Sequence, residues 1–560
     1  MSSRLSIRAA RRCACRPSKQ LLTPVPCCPR QDARANAGSR AGLVENWRMM
    51  KKLTEWVEWI GEGKLGPLDA AIALAALYCA FQVLTSSLVS HLAGTSVSID
   101  DAEQLIYLPY LWAGYGGSQP PLYTWIVWTA THLLGTSVMT LKIIKYALIF
   151  LALFSVNRAV RRLGFSSTTA AAASFGLMTI AQILWESQHT LTHSVAALAF
   201  SALALLTLVR LFKSPRPLNY ALFGLVAALA ILAKFNDIIF LFAMLAAGLS
   251  IREFRPAILS RWLLLSGVIV FLGLTPTVLW SYQHPEAILA RVYKFGIDQP
   301  HQDFFFVRAN GLRELAEAIF NFSVLTAVIC GASFAAERLN PTARLSGSNP
   351  GEKFVGRTLA FGLAALMLLV LVSGTTTIRD RWLMPLLFLL PAYAAIRAQL
   401  LGPRGKEVRY HIISVGLTLA VLAIPVTWYA QAMGGKGKSR TVRLDYLALL
   451  SDLQADGPVG TILASSSWIG NFRLVDDNLV LLNREVPKFD ALLRQPAVLV
   501  WLDTDEPETE ILDRLRQTGY SEAGQVKTVA VPERFGGAEG RRVSFVRLKK
   551  QQPANPAAPD

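Results

Sequence analysis

Eleven apolar runs, most of them close to the length that crosses a bilayer, recur along this chain and constrain its fold more than any motif does. They cover about 68–90, 139–157, 167–184, 194–212, 218–233, 236–250, 262–281, 316–335, 358–374, 382–400 and 412–432. Lipid offers no partner to a peptide N–H or C=O, so runs of this kind fold as helices that satisfy their own backbone. Several run near the short limit of about 17 residues, so the span count is about eleven, give or take one or two. Charged residues are only 17% of the chain, against roughly 25% in soluble domains. The net charge of +18 sits in short segments between the runs. That placement fits orientation in a membrane and excludes a nucleic-acid groove.

The basic residues set the expected topology. Arg48, Lys51, Lys52 and Lys64 precede the first run and place the N-terminus in the cytoplasm. Arg158, Arg161 and Arg162, then Lys213 and Arg216, then Arg252, Arg255 and Arg261 fall on the same side. So do Arg338, Arg344, Lys353 and Arg357, then Arg404, Lys406 and Arg409. This agreement requires that the Trp-rich stretch 121–135 lies in the interface rather than crossing. Lys142 and Lys145 then stand at the outer end of the second span, where snorkelling accounts for them. The outer loop 282–315 is also basic, with Arg291, Lys294, Arg308 and Arg313 offset by acids.

The flanks read differently. Residues 1–48 are expected to form a basic, disordered tail with Cys13, Cys15, Cys27 and Cys28 as free thiols; its composition resembles an organellar transit peptide and equally fits an overcalled translation start, the favoured reading. The expected spanning domain runs from 65 to 432, with its first outer loop at 91–138, followed by a linker at 433–440. Residues 441–549 alternate short strand-like runs such as AVLVWL with helical patterns such as PETEILDRLRQTG. They are expected to form a small α/β domain on the outer side, and 550–560 a disordered tail. The fold class is therefore a polytopic α-helical membrane protein with a small C-terminal α/β soluble domain.

Chemistry concentrates at SIDDAEQLIYLPYLWAGYGGSQPPLYTW, residues 98–125, just after the first run. Asp100, Asp101 and Glu103 crowd the membrane surface within four positions, and adjacent carboxylates raise one another's pKa, which suits proton transfer. An acidic turn capping a helix explains the same residues without chemistry. Lys234, His284, Arg379 and Arg381 all fall at outer ends of runs, where an ionisable residue is costly unless it snorkels or serves a site. Cations there suit a leaving phosphate. One of the arginines pairing with Asp380 is the plain alternative. His189 and His193, four apart near Glu186, fit one helical face as metal ligands, although ordinary histidines fit as well.

The stretch 98–125 resembles the first outer loop of the GT-C superfamily, in particular the dolichyl-phosphate-mannose-protein mannosyltransferase-like family (glycosyltransferase family 39). Its bacterial members include aminoarabinose and lipopolysaccharide-core galacturonosyltransferases. The matching residues are Asp100-Asp101, Gly114-Tyr115, Pro120-Pro121-Leu122-Tyr123 and Trp125. The family's second acid is commonly Glu; here it is Asp101. Gln119 stands where some members place a Lys for the donor phosphate. AILAKF (230–235), TPTVLWSYQH (275–284) and IRDRWLMPLL (378–387) are similar to later family segments.

The resemblance implies transfer of a sugar from a polyprenyl-phosphate donor to a cell-envelope acceptor: a glycolipid such as lipopolysaccharide or lipid A, a polysaccharide, or a protein. It implies a bacterial inner (plasma) membrane location with a periplasmic active site. Asp100 and Asp101 are the expected catalytic pair. Glu103, Tyr115, Gln119, Tyr123, Lys234, His284, Arg379 and Arg381 are the expected substrate-binding residues. No cofactor is implied, and a divalent cation at Asp101 or Glu103 stays open. The competing classes are a lipid or glycan transporter or flippase, and a sensor anchored by its spans. No internal repeat supports the transporter, and eleven spans exceed what an anchor needs.

Overall fold

The computed structural model describes residues 52 and 54–550 apart from 66–67, 117–118, 290–291, 297–302, 344–348, 435–440, 505 and 536–539. The expected N-terminal tail with its four cysteines, most of the linker 433–440 and the tail from 551 onward lie outside the described residues.

All eleven apolar runs fall on helices. Eight are long and apolar enough to cross a membrane: α1 Ala70–Ala93, α4 Val138–Arg162, α7 Thr192–Lys213, α10 Leu263–Gln283, α11 Phe304–Ala336, α12 Pro350–Ser373, α13 Asp380–Leu400 and α14 Gly405–Met433. A ninth span is formed if Ser167–Thr179 (α5) and Gln182–His189 (α6) count together, bent by 78° at the break. The remaining two runs are shorter apolar helices, α8 Pro217–Ala233 and α9 Asp237–Ser250. The chain is thus a multi-pass membrane protein. The Trp-rich segment forms α3, Leu122–Leu134, whose 13 residues rise about 20 Å, short of a hydrocarbon core of about 30 Å.

Local signals explain the ends. Ser137 caps α4 by accepting from the Thr140 N–H. Asn349 caps α12 in the same way, with Pro350 at the first helical position and Gly374 closing it at φ 68°. Gly94 ends α1 at φ 58°. The bundle is layered around α4 and α7, whose apolar stretches are 61% and 78% buried, while only 17% of α10 is. Leu264, Phe271 and Leu272 of α10 point outward, as lipid-facing side chains do.

Beyond α14 the polypeptide forms a five-stranded mixed sheet: β1 Thr461–Leu463, β2 Val480–Leu482, β3 Ala497–Leu502, β4 Tyr520–Val531 and β5 Arg541–Lys550, in the order β2-β1-β3-β5-β4. β1 runs parallel to β2 and β3; β5 is antiparallel to both β3 and β4. The run AVLVWL, buried except at its last residue Leu502, is the central strand β3, and its continuous apolar pattern reflects cover on both faces. α15 Tyr446–Gln454 and α16 Thr509–Gln517 flank the sheet.

Candidate active site

The acidic turn is the start of a nine-residue helix, α2, Ile99–Tyr107. Asp100 and Asp101 occupy its first turn, where carboxylates favour the positive end of the helix dipole. Consecutive residues on a helix diverge by about 100°, so the two carboxylates have different surroundings.

Asp101 faces inward and is 1% exposed. Its Oδ2 accepts from Lys145 Nζ at 3.1 Å and from Ser98 Oγ at 3.1 Å. Lys145 and Lys142 are both buried in α4, so neither snorkels as the sequence suggested. The physical reason is the carboxylate: a lysine with an anion at hand is better served by an ion pair than by stretching to the interface. Asp100 is half-buried instead, and its Oδ2 accepts from the Leu191 N–H at 2.9 Å. Leu191 adopts φ 58°, a left-handed conformation that is uncommon for a leucine, and it is the residue that opens α7.

The bent pair α5–α6 carries the link to the rest of the site. Glu186, half-buried on α6, lies within electrostatic reach of Asp380, Arg381 and Asp100. Gln182, also on α6, donates to Asp380 Oδ2 at 2.6 Å, while Asp380 Oδ1 accepts the Arg381 N–H at 2.7 Å. The Asp380 carboxylate is therefore held by an amide side chain and a backbone N–H. Lys234, at the C-terminal end of α8, donates to Ser194 Oγ at 2.9 Å and to the Arg381 carbonyl at 3.4 Å. Asn236 fixes the next turn by donating to the Trp382 carbonyl at 2.5 Å. Beside these groups a cavity of about 270 Å³ is lined by Ile378, Arg379, Asp380 and Arg381 on one side. Glu314, Glu317, Ala318 and Asn321 of α11 line the other.

Lys234 and Arg381 are thus brought together, Glu186 lies within electrostatic reach of both Arg381 and Asp100, and Arg379 is exposed at the cavity rim. Tyr123 is fully buried, feels both Asp100 and Asp101, and its hydroxyl has no hydrogen-bond partner among the described residues. Glu103 and Gln119 are half-buried, on α2 and just before Pro120. Two expected residues also hold local structure. Tyr115 donates its hydroxyl to the Tyr110 carbonyl at 2.8 Å and packs on Tyr107; burial pushes its phenol up to about 12. It is a loop-holding tyrosine. His284 bonds back to the Trp280 carbonyl through Nδ1 at 3.0 Å and stacks on that indole. Trp280 in turn leaves room only for Gly114, where an added Cβ would lie 2.1 Å from the ring.

His189 and His193 do not join Glu186 as ligands. His189 Nδ1 bonds the Trp185 carbonyl of its own helix, and His193 Nε2 lies 3.3 Å from Gln104 Nε2. No three His, Cys, Asp or Glu side chains converge on a metal position among the described residues. Sequence reading missed Gln182, Glu314, Glu317 and Asn321. Glu314 and Glu317 were detectable as an i, i+3 acidic pair with Asn321 on the same face, at the start of the apolar run 316–335.

Residues 118–280 match the family model described as dolichyl-phosphate-mannose-protein mannosyltransferase. The lipopolysaccharide core galacturonosyltransferase RgtB of Rhizobium johnstonii is 28% identical over 479 residues, covering 84% of this chain and 95% of that protein. RgtA of the same organism is 28% identical over 442 residues, covering 78% and 87%. In fold, the chain is similar to ArnT from Cupriavidus metallidurans, solved bound to undecaprenyl phosphate, with a TM-score of 0.53, 12% identity and coverage of 85% of this chain and 98% of that one. The spanning helices, the acidic loop they present and these likenesses together make the chain a membrane glycosyltransferase, similar over residues 118–280 to the dolichyl-phosphate-mannose-protein mannosyltransferase family.

Proposed function

We propose that this enzyme transfers a sugar from a polyprenyl-phosphate carrier to a glycolipid acceptor of the cell envelope, at the periplasmic face of the bacterial inner membrane. The two Rhizobium relatives favour a uronosyl unit and a lipopolysaccharide acceptor. The observation that carries the reading is that the bent pair α5–α6 reaches the Arg381 segment through the Gln182–Asp380 bond, where Lys234 also bonds the Arg381 carbonyl, and is followed closely by Leu191, whose N–H bonds Asp100.

In this mechanism Asp100 takes the proton from the attacking acceptor hydroxyl. The new C1–O bond forms as the C1–O bond to phosphate breaks, and a single displacement inverts the anomeric centre. The polyprenyl phosphate departs with the electron pair, and Arg379, Arg381 and Lys234 stabilise its charge. Asp101, held by Lys145, orients the helix. No step requires a cofactor.

The test is Asp100→Asn. Asparagine keeps an oxygen for the Leu191 N–H, so the loop geometry survives while the base is lost. Transfer from a labelled polyprenyl-phosphate sugar in proteoliposomes falls by roughly 10²–10⁴. Full transfer by a variant present at wild-type level excludes the role.

A further inference from the structure

We propose that the C-terminal α/β domain is the clamp that sets the position of Asp100, with Gly470 and Asn471 as its positioning residues. The proposal rests on reading Asp100 as the carboxylate that meets the acceptor.

One side of α2 is tied to the bundle through Asp101 and Lys145. The other is gripped by the turn of 3-10 helix Ser467–Leu474, which follows β1 in the C-terminal domain. Asn471 is 1% exposed, and its side-chain amide spans one residue of the lead-in to α2. Oδ1 accepts the Val97 N–H at 2.9 Å, and Nδ2 donates to the Val97 carbonyl at 3.2 Å. A side chain here makes the pair of bonds that a neighbouring β-strand would make. One residue earlier, the Ser96 N–H donates to the Val442 carbonyl at 2.9 Å, so consecutive residues ahead of the helix are pinned by the domain.

Gly470 brings the two backbones into contact. A Cβ there would lie 1.8 Å from the carbonyl oxygen of Ala102, the residue after Asp101. No rotamer relieves a clash between a Cβ and a backbone oxygen, so any side chain at 470 displaces the helix that carries Asp100. At the far end, Arg473 Nε donates to the Leu105 carbonyl at 3.4 Å, a cation where the helix dipole is negative. Ile106 and Tyr107 complete the grip by entering the apolar core of the sheet domain beside Phe472. The helix is thus fixed at its start, middle and end by a domain that supplies none of the groups at the reacting centre. Misplacing a reacting group by about 1 Å costs on the order of 10²-fold in rate, so the clamp acts on turnover more than on donor binding.

The experiment uses the full-length enzyme in nanodiscs. Gly470→Ala is compared with Ile511→Ala, which empties a buried position on α16, a helix that packs on β4; the Ile511 side chain makes none of the bonds to residues 96–105 described above. Two readouts are taken: kcat and donor KM for transfer, and hydrogen exchange of the amides of residues 97–105. For Gly470→Ala the expectation is a fall in kcat of roughly 30-fold or more, a donor KM within about threefold of wild type, and exchange at least about tenfold faster. Ile511→Ala keeps kcat within about threefold. Asn471→Ala moves both readouts in the same direction and carries the test if Gly470→Ala does not accumulate. Unchanged exchange in Gly470→Ala and Asn471→Ala overturns the clamp, and so does an equal loss of kcat in Ile511→Ala. Faster exchange with unchanged kcat keeps the clamp and removes Asp100 from the chemistry, which separates the two readings.

Discussion

Lys145→Met is the sharpest perturbation of the site's foundation. The Lys145–Asp101 pair is 3.1 Å long, with side chains 0% and 2% exposed. At that separation and an effective dielectric of about 20, the attraction is about 5 kcal/mol. Desolvation consumes much of this, but removing one partner leaves the other charge buried and alone, which costs about 3–5 kcal/mol. Asp101 Oδ1 has no hydrogen-bond partner among the described residues, and Lys142, buried on the same helix and within electrostatic reach of Asp101, offsets only part of the lost charge. Methionine matches the stem of lysine in volume, which isolates the charge from the packing. Stability is read by SDS titration in mixed micelles, alongside Asp101→Asn and the double variant. Each single variant is expected to lose about 3 kcal/mol or more, while the double loses less than the sum by at least about 2 kcal/mol. Additive losses, or a Lys145→Met variant within about 1 kcal/mol of wild type, would refute the claim that this pair anchors the acidic helix.

Arg381→Ala is expected to raise donor KM and lower kcat together, with a combined loss of about 10²-fold or more in kcat/KM, because its charge is shared by Glu186 and the cavity. Arg379→Ala, exposed at the rim, loses less, and its effect fades with added salt; steady-state transfer at two ionic strengths checks both. Gly224→Ala probes the bundle instead. Its Cβ would lie 2.7 Å from the backbone of Ser266, so α8 and α10 must part, at about 1–3 kcal/mol of stability by the same titration.

The spans were legible because lipid writes one rule into sequence: backbone polar groups close on themselves and side chains turn apolar. That rule reports depth and leaves azimuth open. Lys142 and Lys145 show the gap. Their place at one end of α4 follows from the run, but their inward direction depends on Asp101, 44 positions away. Tyr115 and His284 show another, since a family motif marks them without distinguishing a residue that meets substrate from one that holds a loop. The C-terminal strands followed from alternation and apolar runs, yet the grip of Asn471 on Val97 spans 374 residues and has no local signature.

The bend between α5 and α6 explains why the site lies where it does. A straight apolar run over 167–184 would have crossed without incident; instead the helix breaks by 78° and continues as a π turn at Gln182–Glu186. Broken backbone at membrane depth is tolerated where protein buries it or where it borders a cavity. The polar side chains of this turn are all put to use. Gln182 holds Asp380, and Gln188 Oε1 accepts from Tyr78 and Gln82 of α1, both at 2.8 Å. Glu186 lies within electrostatic reach of Asp380, Arg381 and Asp100. A straight helix would send residues 182, 186 and 188 around its circumference and strand at least one of them in lipid. Bending gives Gln182 and Gln188 their partners and ties α6 to α13 and to α1, so the break that costs the span its regularity is what pairs its polar side chains.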